Sequence, residues 1–156
     1  MIDTIVQIIQ AMLAPGLMIS ACGLLLLGMN NKYSLVVNRI RLLDDEERKL
    51  KIKKKETELK SYEGFRLENI QMQIAKLTFR VRLVRNAVLF YSIAVALFVL
   101  SCLSIGMQLI LDKGIFASLA LVMFLGGMVA VLTGVIFAAL ETWKGYEIIK
   151  IEVNID

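Results

Sequence analysis

The chain has 156 residues, of which 58% are hydrophobic and 21% are charged, and its mean hydropathy is +0.70. An ordinary globular domain is roughly 45–50% apolar, so this composition excludes a soluble enzyme, a disordered chain and a secreted disulfide scaffold. The charges are segregated, because 15 of the 18 Lys and Arg residues lie within residues 31–86, between apolar blocks. The composition therefore predicts a small, all-α integral membrane protein.

Three uncharged apolar stretches reach the length of a membrane span: residues 5–29, 87–111 and 115–140. A spanning helix needs about 20 predominantly apolar residues. Only residues 112–114 join the last two stretches, which predicts an antiparallel transmembrane hairpin. The sequence thus predicts a first transmembrane helix (1–30), a basic connector (31–86), the transmembrane hairpin (87–140) and a tail (141–156).

The basic connector sets the predicted orientation, because loops rich in Lys and Arg stay in the cytoplasm. The N-terminus and the short loop at 112–114 are then outside, and the tail is inside. The connector has no Pro and one Gly, and acid-first pairs such as Asp44–Arg48 and Glu47–Lys51 favour helix. One helix of its 56 residues would run about 84 Å and could not return to the membrane. We therefore predict a cytoplasmic helical hairpin with its turn at 61–64, or alternatively at 53–55.

Apolar residues recur at spacings of three and four along both arms of the connector. This period of about 3.5 residues predicts a coiled-coil-like seam. The arms either pack on each other within one subunit or associate with another copy or a partner helix, and the second interpretation is favoured. The seam comprises Val36, Ile40, Leu43 and Leu50 on the first arm, and Leu67, Ile70, Ile74, Leu77, Val81 and Val84 on the second.

Three segments carry a resemblance to a known family: PGLMISACGLLLLGMNNK at 15–32, VNRIR at 37–41 and RLVRNA at 82–87. Across roughly residues 8–140, the chain resembles the bacterial membrane family known as domain of unknown function 2721. Asn31 is followed here by Lys32, where many members are expected to carry Arg, which keeps the charge but loses bidentate geometry. The resemblance implies a three-helix protein of the bacterial cytoplasmic (inner) membrane, and it implies no activity.

Catalytic and metal-binding motifs are absent from the sequence. There is no His, and Cys22 and Cys102 each lie inside an apolar stretch. Neither a metal-ligand spacing nor a Gly-rich phosphate loop occurs, and the apolar stretches offer no base to activate a Ser or Cys nucleophile. We therefore expect no enzymatic activity, no metal site and no cofactor.

One face of the first apolar stretch has the pattern of a pathway lining. Its residues recur at spacings of four and three, first acidic, then amide, then small, and the spacing continues to Asn31. In a ring of subunits an Asp ring attracts cations, and Leu side chains form constrictions that gate by dewetting. The alternative is that these polar groups reach headgroups or bond a neighbouring helix. The pore-lining candidates are Asp3, Gln7, Gln10, Ala14, Leu17 and Ala21.

Two further residue sets have structural interpretations. Small residues four apart in the third stretch, which let helices approach closely, are Gly126, Ala130, Gly134 and Ala138. Basic residues near the cytoplasmic boundary, which attract anionic lipids, are Lys32, Arg39, Arg41, Arg80, Arg82 and Arg85. Eight acidic residues are interleaved with the basic residues of the connector, and nothing resembles a recognition module, so nucleic acid is not an expected partner.

Two functional hypotheses follow from these patterns. The first is a homo-oligomeric ion channel or pore lined by the first helix, with the cytoplasmic hairpin as its assembly domain. The second is a non-conducting scaffold or accessory subunit whose hairpin docks a protein partner or a larger membrane complex. Three helices cannot enclose a pore alone, so the first hypothesis requires several copies.

Under the first hypothesis, Asp3→Lys replaces an acidic ring at the pore mouth by a basic one. We expect the preference for cations over anions to decrease or reverse, because the charge at the mouth changes sign. Reversal potentials in asymmetric KCl across a planar bilayer measure this preference. Unaltered selectivity in a conducting Asp3→Lys protein would contradict the proposed lining.

Overall fold

The structure of the chain is a computed structural model that describes residues 2–56, 61–111 and 114–153. These residues form three helices: α1 spans Ile2–Glu56, α2 spans Ser61–Leu111 and α3 spans Ile115–Val153. Each helix contains a stretch long and apolar enough to cross a membrane. Over the described residues, the predictions of an all-helical chain and of three helices long and apolar enough to span a membrane are confirmed.

The helices are longer than the apolar stretches within them. α1 and α2 continue without a break into the charged connector, and α3 continues through most of the predicted tail. Both predicted turn positions are wrong, since residues 53–55 belong to α1 and residues 61–64 belong to α2. The connection between α1 and α2 falls on residues 57–60, which lie outside the described part of the chain.

α2 is the central helix of the fold. α1 and α3 each pack along α2, and they meet each other at only a few points. The core consists of two clusters of buried residues, and each cluster draws on more than one helix. The first contains Cys22, Ala94, Phe98 and Ala130, and the second contains Met29, Val84, Ala87 and Tyr91.

The connector seam is covered within one chain. Val36, Leu43, Ile70 and Val84 are buried, and the other seam residues are half-buried. Polar contacts flank this seam, since Arg66 Nη2 lies 2.9 Å from Glu46 Oε1, and Gln71 Nε2 donates a hydrogen bond of 2.8 Å to Glu47 Oε1. The arms of the connector therefore pack on each other, which is the interpretation that the sequence did not favour.

Close packing of α3 on α2 depends on glycine. A Cβ atom at Gly134 would lie 2.7 Å from Cε1 of Tyr91, and one at Gly127 would lie 2.7 Å from Cε1 of Phe98. Ala130 is buried in the first cluster, and Ala138 packs against the second. Gly126 faces Leu97, whose Cδ1 would be 3.6 Å from an added Cβ. The small residues of α3 therefore lie on the side that contacts α2.

Gly134→Ala is expected to lower the free energy of unfolding by about 1–3 kcal/mol, because the added methyl group overlaps the buried ring of Tyr91. Gly106→Ala is the matched control on α2, since nothing lies within 4 Å of its added Cβ. Ala is the better helix former, so the control should be neutral or stabilising. SDS titration of the protein in mild-detergent micelles measures both changes. Equal effects of the two substitutions would contradict the close α2–α3 contact.

Candidate functional site

A single buried carboxylate joins the three helices at one end of the apolar stretches. Glu141 is 1% exposed and directly follows the apolar stretch of α3. Its Oε1 accepts hydrogen bonds from Arg80 on α2, at 2.6 Å from Nη2 and 3.2 Å from Nε. Its Oε2 lies 3.3 Å from Nζ of Lys32 on α1. Each helix therefore contributes one charged group to this junction.

Neighbouring residues on α3 hold the two cations in place. Gly145 gives the Arg80 guanidinium room, because an added Cβ there would lie 2.9 Å from Nη2. Thr142 Oγ1 accepts a second bond of 3.3 Å from Lys32 Nζ and donates to the carbonyl oxygen of Ala138 at 3.0 Å. We call Glu141, Arg80 and Lys32 together the junction triad.

A cavity of about 390 Å³ lies beside the junction triad. All three residues of the junction triad line it. Two of them are cationic and one is anionic, so the cavity has a formal charge of +1. Lys32 is 48% exposed and Arg80 is 22% exposed at their side chains, whereas Glu141 is enclosed. The positive groups are therefore the accessible ones. The remaining walls are Leu35, Val36, Thr142 and Gly145.

Sequence reasoning did not identify the junction triad. In the sequence, Glu141 falls in the predicted cytoplasmic tail, and Lys32 and Arg80 are candidates for binding anionic lipid. The overlooked signal is the position of Glu141 directly after the third apolar stretch. In the predicted topology this end of the third stretch lies at the same membrane boundary as Lys32 and Arg80, which flank the other two stretches. The other lipid candidates, Arg39, Arg41, Arg82 and Arg85, are exposed.

The structure divides the pore-lining candidates. The side chain of Asp3 lies outside the described part of the structure. Gln7 and Ala14 line a groove of about 410 Å³ between α1 and the α2–α3 pair, with Ser101 and Gln108 on its far side. Gln10, Leu17 and Ala21 are exposed and do not line that groove.

An exposed stripe with coiled-coil spacing runs along α1 far beyond the predicted lining. Its spacings alternate between four and three, and every member is exposed. One set of alternate positions begins with Ala14, Ala21 and Gly28, all small, whereas the other set includes Leu17 and Leu24. We call this stripe the α1 face; it consists of Gln10, Ala14, Leu17, Ala21, Leu24, Gly28, Asn31, Leu35, Asn38 and Leu42.

A second exposed stripe lies on the connector part of α2. Phe65, Met72 and Phe79 are seven residues apart and are exposed by 65%, 52% and 50%. They share one side of α2, because seven residues are close to two helical turns. That side is opposite the buried Ile70, because Met72 follows Ile70 by two residues, slightly more than half a turn. We call these three residues the α2 stripe.

Comparison with known protein families matches residues 12–151 to a family described as "Protein of unknown function (DUF2721)". The match covers most of the chain, including the junction triad and the α1 face from Ala14 onward. No curated protein and no solved structure matches the chain.

Glu141→Gln is expected to lower the free energy of unfolding by about 2 kcal/mol, because two cations lose their shared anion. Glu46→Gln is the control, since it removes an exposed ion pair with Arg66, worth at most about 1 kcal/mol. SDS titration in mild-detergent micelles measures both variants.

A double variant separates loss of the ion pair from loss of packing. The charge of Arg80 is destabilising once Glu141 is neutral. The double variant Glu141→Gln/Arg80→Met should therefore lose less free energy of unfolding than the sum of the losses in the two single variants. Simple additivity would show that the Glu141–Arg80 contact contributes nothing specific.

Proposed function

The chain belongs to the DUF2721 family, and we propose that it is a homo-oligomeric membrane protein whose α1 helices meet and line a pathway for ions. The three long apolar helices support integration into a membrane. The α1 face is the observation that carries the proposal. A second copy of the chain is the partner that this face fits, and no catalytic activity forms part of the proposal.

Three properties of the α1 face support contact with other copies. Its spacing of four and three is the period of helices that pack on one another along their length. Small residues at alternate positions allow close approach of helices in a membrane. The face continues through Leu35 and Leu42 into the charged connector, where lipid tails are not available to cover apolar side chains.

The order of residues along the α1 face supports a conducting pathway. Gln10 offers an amide near the end where Asp3 would form an acidic mouth, and Leu17 and Leu24 follow it. Leu side chains converging from several copies form a constriction that gates by dewetting. An exposed Gln within an apolar stretch also favours contact with water or another helix over contact with lipid tails.

The distribution of charge supports the proposed orientation and location. Fifteen of the 18 basic residues lie in the connector, which we place in the cytoplasm of a bacterium, beneath its inner membrane. The paired arms of α1 and α2 then form a cytoplasmic hairpin, which would support assembly and sensing.

The α2 stripe favours a second candidate function. Phe65, Met72 and Phe79 lie on one side of α2 and would be exposed to water in this orientation, an arrangement that a protein partner would cover. The chain would then be a non-conducting scaffold that docks a cytoplasmic protein through this stripe. A stoichiometric second protein after purification in mild detergent would favour this candidate.

The native mass of the protein in a lipid nanodisc tests the oligomer first. Four or more copies of the 17.5 kDa chain are expected. A monomer or dimer would overturn the proposed pathway, because too few helices would remain to surround water. The double variant Gln10→Leu/Leu17→Ala on the α1 face should lower this mass, whereas Leu27→Ala, at an exposed position outside the face, should not.

Leu17→Asn is expected to raise basal ion flux through reconstituted protein, because an amide hydrates a constriction that Leu keeps dry. Leu27→Asn is the matched control, since Leu27 is 60% exposed against 63% for Leu17 but lies outside the α1 face. Flux is measured in proteoliposomes loaded with a potassium-sensitive dye. Equal flux in the two variants would contradict a constriction at Leu17.

A further inference from the structure

We propose that the cavity beside the junction triad binds one phosphate group at the membrane surface. The same chemistry is available from the headgroup of an anionic phospholipid and from soluble phosphate. The inference rests on the junction triad and its cavity, and it does not require the α1 pathway to exist.

The charge of the cavity favours one anion. Glu141 neutralises one of the two cations, and both of its oxygen atoms already accept hydrogen bonds. One positive charge is left over, on side chains that are accessible where the carboxylate is not. A monoanionic phosphate diester would bring this cavity to neutrality, whereas a zwitterionic headgroup such as phosphatidylcholine would bring its own cation beside Lys32 and Arg80.

The cavity also has unused hydrogen-bond donors. A guanidinium carries five N–H groups, and among the residues that the structure describes Arg80 donates from Nε and Nη2, both to Glu141. The ammonium group of Lys32 carries three, two of which point to Glu141 and Thr142. Arg and Lys donors of this kind form short, charge-assisted hydrogen bonds with phosphate oxygens.

The walls and depth of the cavity suit the headgroup region of a lipid. Lys32 lies three residues beyond one apolar stretch and Glu141 lies one residue beyond another, so the cavity is at the end of the hydrocarbon layer. Leu35 and Val36 add apolar walls beside the two cations. This combination matches a phosphate group attached to an apolar tail.

Lys32→Gln tests the site while keeping both hydrogen bonds from Arg80 to Oε1 of Glu141. It removes the excess positive charge of the cavity. Arg39→Gln is the matched control, because it removes the same charge seven residues further along α1, outside the cavity. Lys32→Arg changes the side chain but keeps the charge, so it should keep binding. Comparison of Lys32→Arg with Lys32→Gln therefore separates loss of the charge from misfolding.

The measurement is the number of lipids retained per chain, by native mass spectrometry after incubation with equal amounts of phosphatidylglycerol and phosphatidylcholine. Hydrogen bonds to charged groups contribute about 1.5–3 kcal/mol, so Lys32→Gln should lower selective retention of phosphatidylglycerol roughly tenfold or more. Arg39→Gln should lower it only severalfold, through general attraction of the surface. Equal losses in the two variants would overturn the proposal.

Thermal unfolding of the wild-type protein in detergent provides a second test that needs no variant. Stabilisation by phosphatidylglycerol but not by inorganic phosphate assigns the site to a lipid headgroup, and stabilisation by both assigns it to phosphate from either source. Stabilisation by neither ligand would overturn the proposal. Leu35 borders both the cavity and the α1 face, so a change at one could affect the other. The native mass spectra give the number of copies as well as the number of lipids, and they therefore distinguish a change in subunit number from loss of the bound lipid.

Discussion

The enclosed charge of Glu141 is the constraint on which the arrangement of the three helices depends. A carboxylate removed from water is tolerated only when its oxygen atoms are bonded and its charge is matched. α2 supplies a guanidinium and α1 supplies an ammonium at the same depth. A shift of α1 by one turn, about 5.4 Å along its axis, would carry Lys32 out of reach. One residue of α3 thus fixes the register of the other two helices.

Exposed apolar side chains have different surroundings on the two sides of this junction. Within the apolar stretches, lipid tails can cover an exposed Leu at little cost, and helix association depends on close contacts such as those at Gly127 and Gly134. Along the connector, the arms cover Leu43 and Ile70 between them, yet Phe65, Leu42 and similar residues stay exposed. The exposed apolar side chains of the connector, unlike those of the apolar stretches, would have no lipid tails to cover them, which is why both proposed functions involve further protein contacts.

The sequence predicted the helices well because apolar length and the absence of breakers are local properties. It also identified the connector seam, since periodicity reports which face of a helix is buried. It could not identify the partner of that face, because a buried face looks the same whether α2 or another copy covers it. The junction triad was missed for a related reason: Glu141 lies 109 residues from Lys32 and 61 from Arg80. Charges so distant in sequence show no common pattern until the helices are placed side by side.

The continuity of α1 has a mechanical consequence. From Ile2 to Glu56 it is one helix, and the contact between Lys32 and Glu141 lies near its middle. About 36 Å of helix extends from Lys32 to Glu56 and about 45 Å to Ile2. Cys22 is buried on one side of Lys32 and Leu43 on the other, and α1 packs along α2, so α1 cannot tilt about this contact while α2 stays in place. A load on the connector arms would therefore displace the apolar parts of α1 and α2 together.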